Sequence, residues 1–291
     1  MRVTDALRFQ HVQRALASAA REHAAASRRA SSGARIERPS DDPVGAAELV
    51  RLGASRSQVA AQRDTVRTVS GDLALAEATL AESGDLLAQA KSVALQGANG
   101  SLSASERSML AEQVRQLRGE LVGLANAKGS RGFLFAGSQT ATRPFSAAGA
   151  FSGDAVDFVV DVGGGPTAAG ANGARAFTLA GGRDVFADLN ALESALTAND
   201  PTAVAATLDA LEASRAQLGE ERGRVGLRME KLQTSEQLLE QASVVLTEAT
   251  ERVGAADPFE SFSRMTALSQ ALERSVAVSR QLLDLGTLWR G

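Results

Sequence analysis

A chain of 291 residues that is 44% hydrophobic but only 4% aromatic, and that has no Cys and no Tyr, is long enough to bury a substantial core. The missing Cys excludes disulfides, thiolate metal sites and a Cys nucleophile together. A formal net charge of −3, from 31 basic against 34 acidic residues, excludes a broad cationic field for a nucleic-acid backbone.

The N-terminal stretch MRVTDALRFQHVQRALASAAREH spreads its charges throughout and lacks an apolar run, so a secretory signal peptide is not expected there. Phe9, Val12, Leu16 and Ala19, continued by His23 and Ala26, form one stripe of an amphipathic helix, and Leu7 joins Phe9, Val12 and Leu16 as an expected assembly contact. Arg21, Arg28, Arg29, Arg35 and Arg38 make this end basic, but no stacking aromatics are interleaved, which favours a solvated face or a contact with acidic neighbours over a nucleic-acid arm. In RPSDDPVGAA, the group Pro39, Ser40, Asp41, Asp42 and Pro43 reads as a helix cap. Pro suits the first turn, and carboxylates favour the positive end of the helix dipole.

From there an arm carries a seven-residue seam of Leu52, Val59, Val66, Leu73, Leu80 and Leu87. Its companion positions are mixed (Ser55, Gln62, Val69, Ala76, Ser83, Ala90), which points to a bundle and not to a two-stranded zipper. A helix over 44–95 would be roughly 78 Å long at ~1.5 Å per residue, with Gly53, Gly71 and Gly84 as points where it bends or breaks. Ser103 and Glu106 form a capping box before a second helix with Leu110, Val114, Leu117, Leu121 and Leu124 on one face.

The composition then changes. Twelve of the 27 Gly fall within 129–182, and seven of the ten Phe lie in or just beyond that window. The runs RGFLFAG, VDFVVDV and ARAFTLAG read as short strands separated by turns. The helical pattern returns with a second seam: Leu211, Leu218, Val225, Leu232, Leu239, Leu246 and Val253. Asp257-Pro258 caps a last helix carrying Leu268, Leu272, Leu282 and Leu285. The expected fold is mainly α, an elongated antiparallel helical bundle or coiled coil formed by the N- and C-terminal arms around a small β-rich insertion. Its expected parts are a terminal domain (1–42 with 256–291), a rod (43–128 with 186–255) and the insertion (129–185). Neither end can bury enough apolar surface alone, so both are expected to order by pairing with each other inside an assembly.

Chemistry is hard to find. His11 and His23 are the only histidines, and no ligand spacing or triad accompanies them. Gly163-Gly164-Gly165 lacks the Lys-Ser/Thr of a phosphate-binding loop and reads as a hairpin or loop. No cofactor, metal or catalytic residue is assigned, an enzyme is not expected, and the short, Ala-rich apolar face of residues 1–30 with its single Phe argues against a membrane-surface binder.

The segment Ser31–Ala47, SSGARIERPSDDPVGAA, resembles the N-terminal signature of bacterial flagellins and their relatives. Gly97–Asn126 and the RGRVGLRMEKL run (Arg222–Leu232) resemble that superfamily's next helical segments. Within it, GFLFAGSQTATRPF (Gly132–Phe145) and GGRDVFADLNALESALTANDPTA (Gly181–Ala203) are most similar to the hook-associated protein 3 family of the hook–filament junction. The C-terminus departs from the pattern: it lacks an acidic-alanine run and ends LGTLWRG. The resemblance implies a structural flagellar subunit, exported unfolded through the type III channel without a cleaved signal peptide and escorted by an export chaperone. Its implied partners are other copies of itself, the neighbouring hook-associated junction protein and flagellin, with no nucleic acid and no membrane insertion. Its implied location is extracellular, in the bacterial flagellum, and flagellin itself is the alternative reading.

Overall fold

The structure, a computed structural model, describes residues 2–162 and 165–288, with side chains described for 10–162 and 165–281. It is mainly α. Helices α1 (Arg2–Ser32), α2 (Pro43–Gly97) and α3 (Ala104–Ala125) precede two small hairpins, β1–β2 (Lys128–Gly129, Gly132–Phe133) and β3–β4 (Val159–Asp161, Pro166–Ala168). Both hairpins are antiparallel, with Lys128 opposite Phe133 and Val159 opposite Ala168. Then follow α4 (Gly173–Phe177), a 3-10 turn (Leu179–Gly181), α5 (Val185–Thr197), α6 (Pro201–Ala206), α7 (Leu208–Gly254) and α8 (Pro258–Leu288). The chain divides into two compact units, 1–58 with 242–291 and 59–241.

In the first unit α1 packs along α8. Helix α1 stops at Gly33, whose φ of +67° is the left-handed end that Gly takes without steric cost, and whose N–H returns to Arg29 O at 3.0 Å. The chain leaving α1 is fastened to the junction between α7 and α8. Arg35 N donates to Gly254 O at 2.7 Å and Ala256 N donates to Gly33 O at 2.9 Å.

In the second unit α2 and α7 run antiparallel. The ion pairs Arg63–Glu240, Arg67–Glu236, Glu77–Arg222 and Lys91–Glu212 set this register, each step up α2 being matched by a step down α7. The two seams meet in one core: Val66, Leu73, Leu80 and Leu87 of α2, and Leu211, Leu218, Val225 and Leu232 of α7, are all buried. The small companion positions Ala76, Ser83 and Ala90 are also fully buried, and Ser83 Oγ satisfies itself on Thr79 O at 2.7 Å. Helix α2 passes unbroken through Gly53, Gly71 and Gly84, so the expected interruption does not occur. A 55-residue helix with a packed face tolerates the ~1 kcal/mol that each interior Gly costs.

The insertion differs from the sequence reading at ARAFTLAG, which is not a strand. Residues 173–177 are a helical turn and 179–181 a 3-10 turn. Asn172 caps the first, its Oδ1 accepting from Arg175 N at 3.3 Å, and Thr178 caps the second. Burial of Phe177 then fixes the turn. Its ring sits edge-on to Phe135 at 5.4 Å and to Phe145 at 5.4 Å, in a cluster that also takes in Phe151 and Phe186. Gly163-Gly164 lie outside the described residues, between the paired strands β3 and β4.

Candidate assembly surfaces

The terminal helices present a half-buried stripe on each side of their contact. Val12, Leu16, Ala19 and His23 of α1, with Leu268 and Leu272 of α8, are partly covered, and Ala26 is buried. The side chains of Leu7, Phe9, Leu282 and Leu285 lie outside the described ones. Other apolar groups in this unit remain open: Phe259 is 89% exposed and Phe262 59%, and Val44 and Val50 stand out from α2. His11 is exposed. Among the described residues no group of three or more His, Cys, Asp or Glu could hold a metal ion, and no helix is long and apolar enough to cross a membrane.

The Pro39–Pro43 turn is built from its two carboxylates. Asp41 Oδ2 accepts from the backbone N–H of Glu37 and of Arg38, both at 3.1 Å. Asp42 Oδ1 accepts from Gly45 N at 2.9 Å in the first turn of α2, which opens at Pro43. These backbone donors, Arg38 foremost for Asp41 and Gly45 for Asp42, hold both carboxyls below their ordinary value of 3.8. Arg28, Arg29 and Arg35 pair with Glu37, Asp41 and Asp42. Part of the basic surplus of the first forty residues is therefore directed at acids in its own chain. Gly45 is buried, and a Cβ there would collide with Asp42 and Ile36.

Along the seams, Leu52 and Leu239 are buried, while Val59, Leu246 and Val253 are half-covered. The sequence reading missed what stands beside the second seam. Ser214, Glu221 and Ser235, each three residues after a buried seam Leu, are themselves buried, and Arg228 continues the row at 16% side-chain exposure. Glu221 is the centre of a charged cluster. Its carboxylate accepts from Asn172 N at 3.0 Å, from Arg175 Nε at 3.1 Å and from Arg224 Nη1 at 3.1 Å. Asp157 completes it, pairing with Arg175 at 2.7 Å and Arg228 at 3.4 Å. Burial pushes the Asp157 carboxyl up, but the hydrogen bonds from Arg175 and Asn172 and the nearby Arg charges outweigh it and bring it below its ordinary value.

Three further polar contacts tie the insertion to the helices. Gln217 Nε2 donates to Ala176 O, Thr178 O and Arg183 O, while its Oε1 accepts from Arg183 N at 2.8 Å. Asp72 of α2 accepts from Ser130 N at 2.7 Å and Ser130 Oγ at 2.8 Å, and pairs with Arg131. Asp188 joins Arg183 to Ser214. Arg107, 3% exposed, closes the turn from α2 to α3 by donating to Gly97 O, Leu102 O, Asn99 O and Asn199 Oδ1. The capping box of α3 is complete, with Ser103 N donating to Glu106 at 2.7 Å and Glu106 N donating to Ser103 Oγ at 3.3 Å. The legible trace of the insertion's anchorage is the polar row itself. A seam whose companion positions are Ser, Glu, Arg and Ser faces something other than an apolar helix.

Residues 7–140 match the family model of the bacterial flagellin N-terminal helical region. The chain is 31% identical over 148 residues to flagellar hook-associated protein 3 of Escherichia coli K12, a match covering 50% of this chain and 46% of that one. It thus spans about half the length of the curated relatives it matches. Among solved structures, a protein described as hook-associated from Vibrio parahaemolyticus has a TM-score of 0.68 at 22% identity, covering 74% of this chain and all of that one. FlgL of Xanthomonas campestris has a TM-score of 0.60 at 17% identity, over 69% of this chain and 99% of that one. At these identities the likeness to the solved structures is one of fold. The chain is thus flagellin-like: residues 7–140 match the flagellin N-terminal helical region, and it resembles flagellar hook-associated proteins in sequence and in fold.

Proposed function

We propose that the chain is a structural subunit of the bacterial flagellum that forms the hook–filament junction. The single observation carrying this reading is the sequence likeness to flagellar hook-associated protein 3. The packing adds a mechanism. In the rod, the seams Leu52–Leu87 and Leu211–Val253 stiffen each subunit. The terminal helices, through Leu7, Phe9, Val12, Leu16, Leu268, Leu272, Leu282 and Leu285, complete their burial against neighbours. A head-to-tail contact of this kind propagates until a different partner ends it. The partners in this reading are other copies of the chain, the adjoining hook-associated protein, flagellin and an export chaperone. The chain works outside the cell, having left it without a cleaved signal peptide. Chemistry has no part in the reading.

A second reading, flagellin itself, draws on the match of residues 7–140 to the flagellin N-terminal region. One experiment separates the two. Deleting the gene and imaging cells and medium should give hooks without filaments and intact flagellin in the medium. Normal filaments on the deletion strain would overturn the junction reading. Purified chain that grows long filaments unaided would favour flagellin.

A further inference from the structure

The sequence holds two Asn-Gly dipeptides, Asn99-Gly100 and Asn172-Gly173, and the fold treats them in opposite ways. Asn99 is exposed in the turn between α2 and α3. Its Oδ1 accepts from both Ser101 N at 3.1 Å and Ser101 Oγ at 2.9 Å. Gly100 has open space around it and a backbone outside the left-handed region, and its N–H makes no hydrogen bond among the described residues. Asn172 is fully buried and caps α4. Its Oδ1 is used by Arg175 N, and its Nδ2 donates to Asp157 Oδ1 at 3.2 Å. Gly173 is closed in by the backbone of Phe135.

We propose that Asn99 is a site of spontaneous deamidation in the folded chain, and that Asn172 is protected from it. The Gly100 amide nitrogen attacks Asn99 Cγ, and charge develops on Oδ1, the atom at which both Ser101 donors are aimed. The Gly100 N–Asn99 Cγ bond forms and the Cγ–Nδ2 bond breaks. Ammonia leaves, carrying the Gly100 amide proton, and a five-membered imide remains. Water then opens either imide carbonyl, giving aspartate or isoaspartate at position 99. No oxidant or reductant is involved. The fixed turn holds nucleophile and electrophile on adjacent residues, and the missing Cβ of Gly100 leaves the approach open. At Asn172 the leaving nitrogen is tied to Asp157 and the site is closed to water.

The conversion reaches the packing through Arg107. Its Nη2 donates to Asn99 O at 2.7 Å, as part of the same fork that holds Gly97 O and Leu102 O. In isoaspartate the main chain runs through Cβ and Cγ, one atom longer, and the carbonyl that Arg107 holds becomes a free carboxylate off the main chain, which loosens the turn that joins α2 to α3.

The test is incubation of the folded full-length chain at mildly alkaline pH, followed by peptide mass mapping and isoaspartyl methyltransferase labelling. The Asn99 peptide should gain the mass of an amide-to-acid exchange and take up label, while the Asn172 peptide should do neither. In urea both peptides should convert, which shows that the fold protects Asn172. Gly100→Ala should suppress conversion with unchanged melting. Ser101→Ala should slow it severalfold in the folded chain and leave the rate in urea unaltered. An Asn99 peptide that converts no faster than the Asn172 peptide in the folded chain overturns the proposal. So does a Ser101→Ala chain that converts at the wild-type rate while folded.

Discussion

Glu221→Ala tests whether the polar row of α7 holds the insertion in place. Glu221 is fully buried and accepts from the main chain of Asn172 and from the guanidinium groups of Arg175 and Arg224, with Arg228 at 3.8 Å. Removing it leaves Asn172 N–H without its acceptor and Arg175 with Asp157 as its remaining carboxylate. Breaking a buried, hydrogen-bonded charge pair by deleting one partner costs about 3–5 kcal/mol. The adjacent Glu220 is 69% exposed and, among the described residues, pairs only with Arg224, at 3.6 Å, so Glu220→Ala should cost less than about 1 kcal/mol. Two neighbouring substitutions of the same chemistry should therefore differ by several kcal/mol. Urea unfolding followed by circular dichroism measures both. For a unit of this size the melting point should fall by about 2–4 °C per kcal/mol. The same chains should show faster proteolysis within 129–182 for Glu221→Ala alone. A Glu221→Ala loss no larger than that of Glu220→Ala would refute the anchoring role.

Other outcomes follow from the same contacts. Asp41, Asp42 and Asp157 have carboxyls held below 3.8 in the folded chain, so their contribution is complete above that value and is lost as pH falls through the lower folded values. The protection of the Glu37, Arg38 and Gly45 amides, taken as the exchange rate relative to the intrinsic rate at the same pH, should fall as pH drops below 3.8 and stay constant between pH 5 and 7. Leu80→Ala, in a fully packed position, should cost about 2–5 kcal/mol, whereas Leu227→Ala, 69% exposed, should fall within about 0.5 kcal/mol of wild type by urea titration. Gly33→Ala and Gly84→Ala should shift the melting point in opposite directions. The first forces a φ of +67° on a side chain. The second adds a Cβ that meets nothing within 4 Å and raises helix stability by about 0.5–1 kcal/mol.

The parts of the fold that were legible in the sequence are those decided locally or by period. The Leu73–Leu80–Leu87 row is buried because one apolar face at seven-residue spacing has few other ways to leave water. The caps at Ser103 and Asp257 act over two or three residues and so are written in adjacent letters. ARAFTLAG was misread because its β-branched and aromatic content says nothing of Asn172, whose cap turns the chain into a helix, or of the Phe135–Phe145 cluster that receives Phe177. The Glu221 cluster is closed by pairs far apart in the chain, Arg175 with Glu221 at 46 positions and Asp157 with Arg228 at 71. No local pattern encodes such partners. For the proposed assembly surface, the terminal stripes were legible as amphipathic spacing. The exposed Phe259 and Phe262 were not, because a Phe beside a helix cap reads the same whether it is covered or open.

Placement in the organelle tests the junction role most directly. An epitope inserted in the exposed turn at 141–143 can be followed by immunogold electron microscopy on isolated flagella. A junction subunit gives label in a single narrow band where hook meets filament. Label distributed along the filament, or absent from the flagellum, would contradict it.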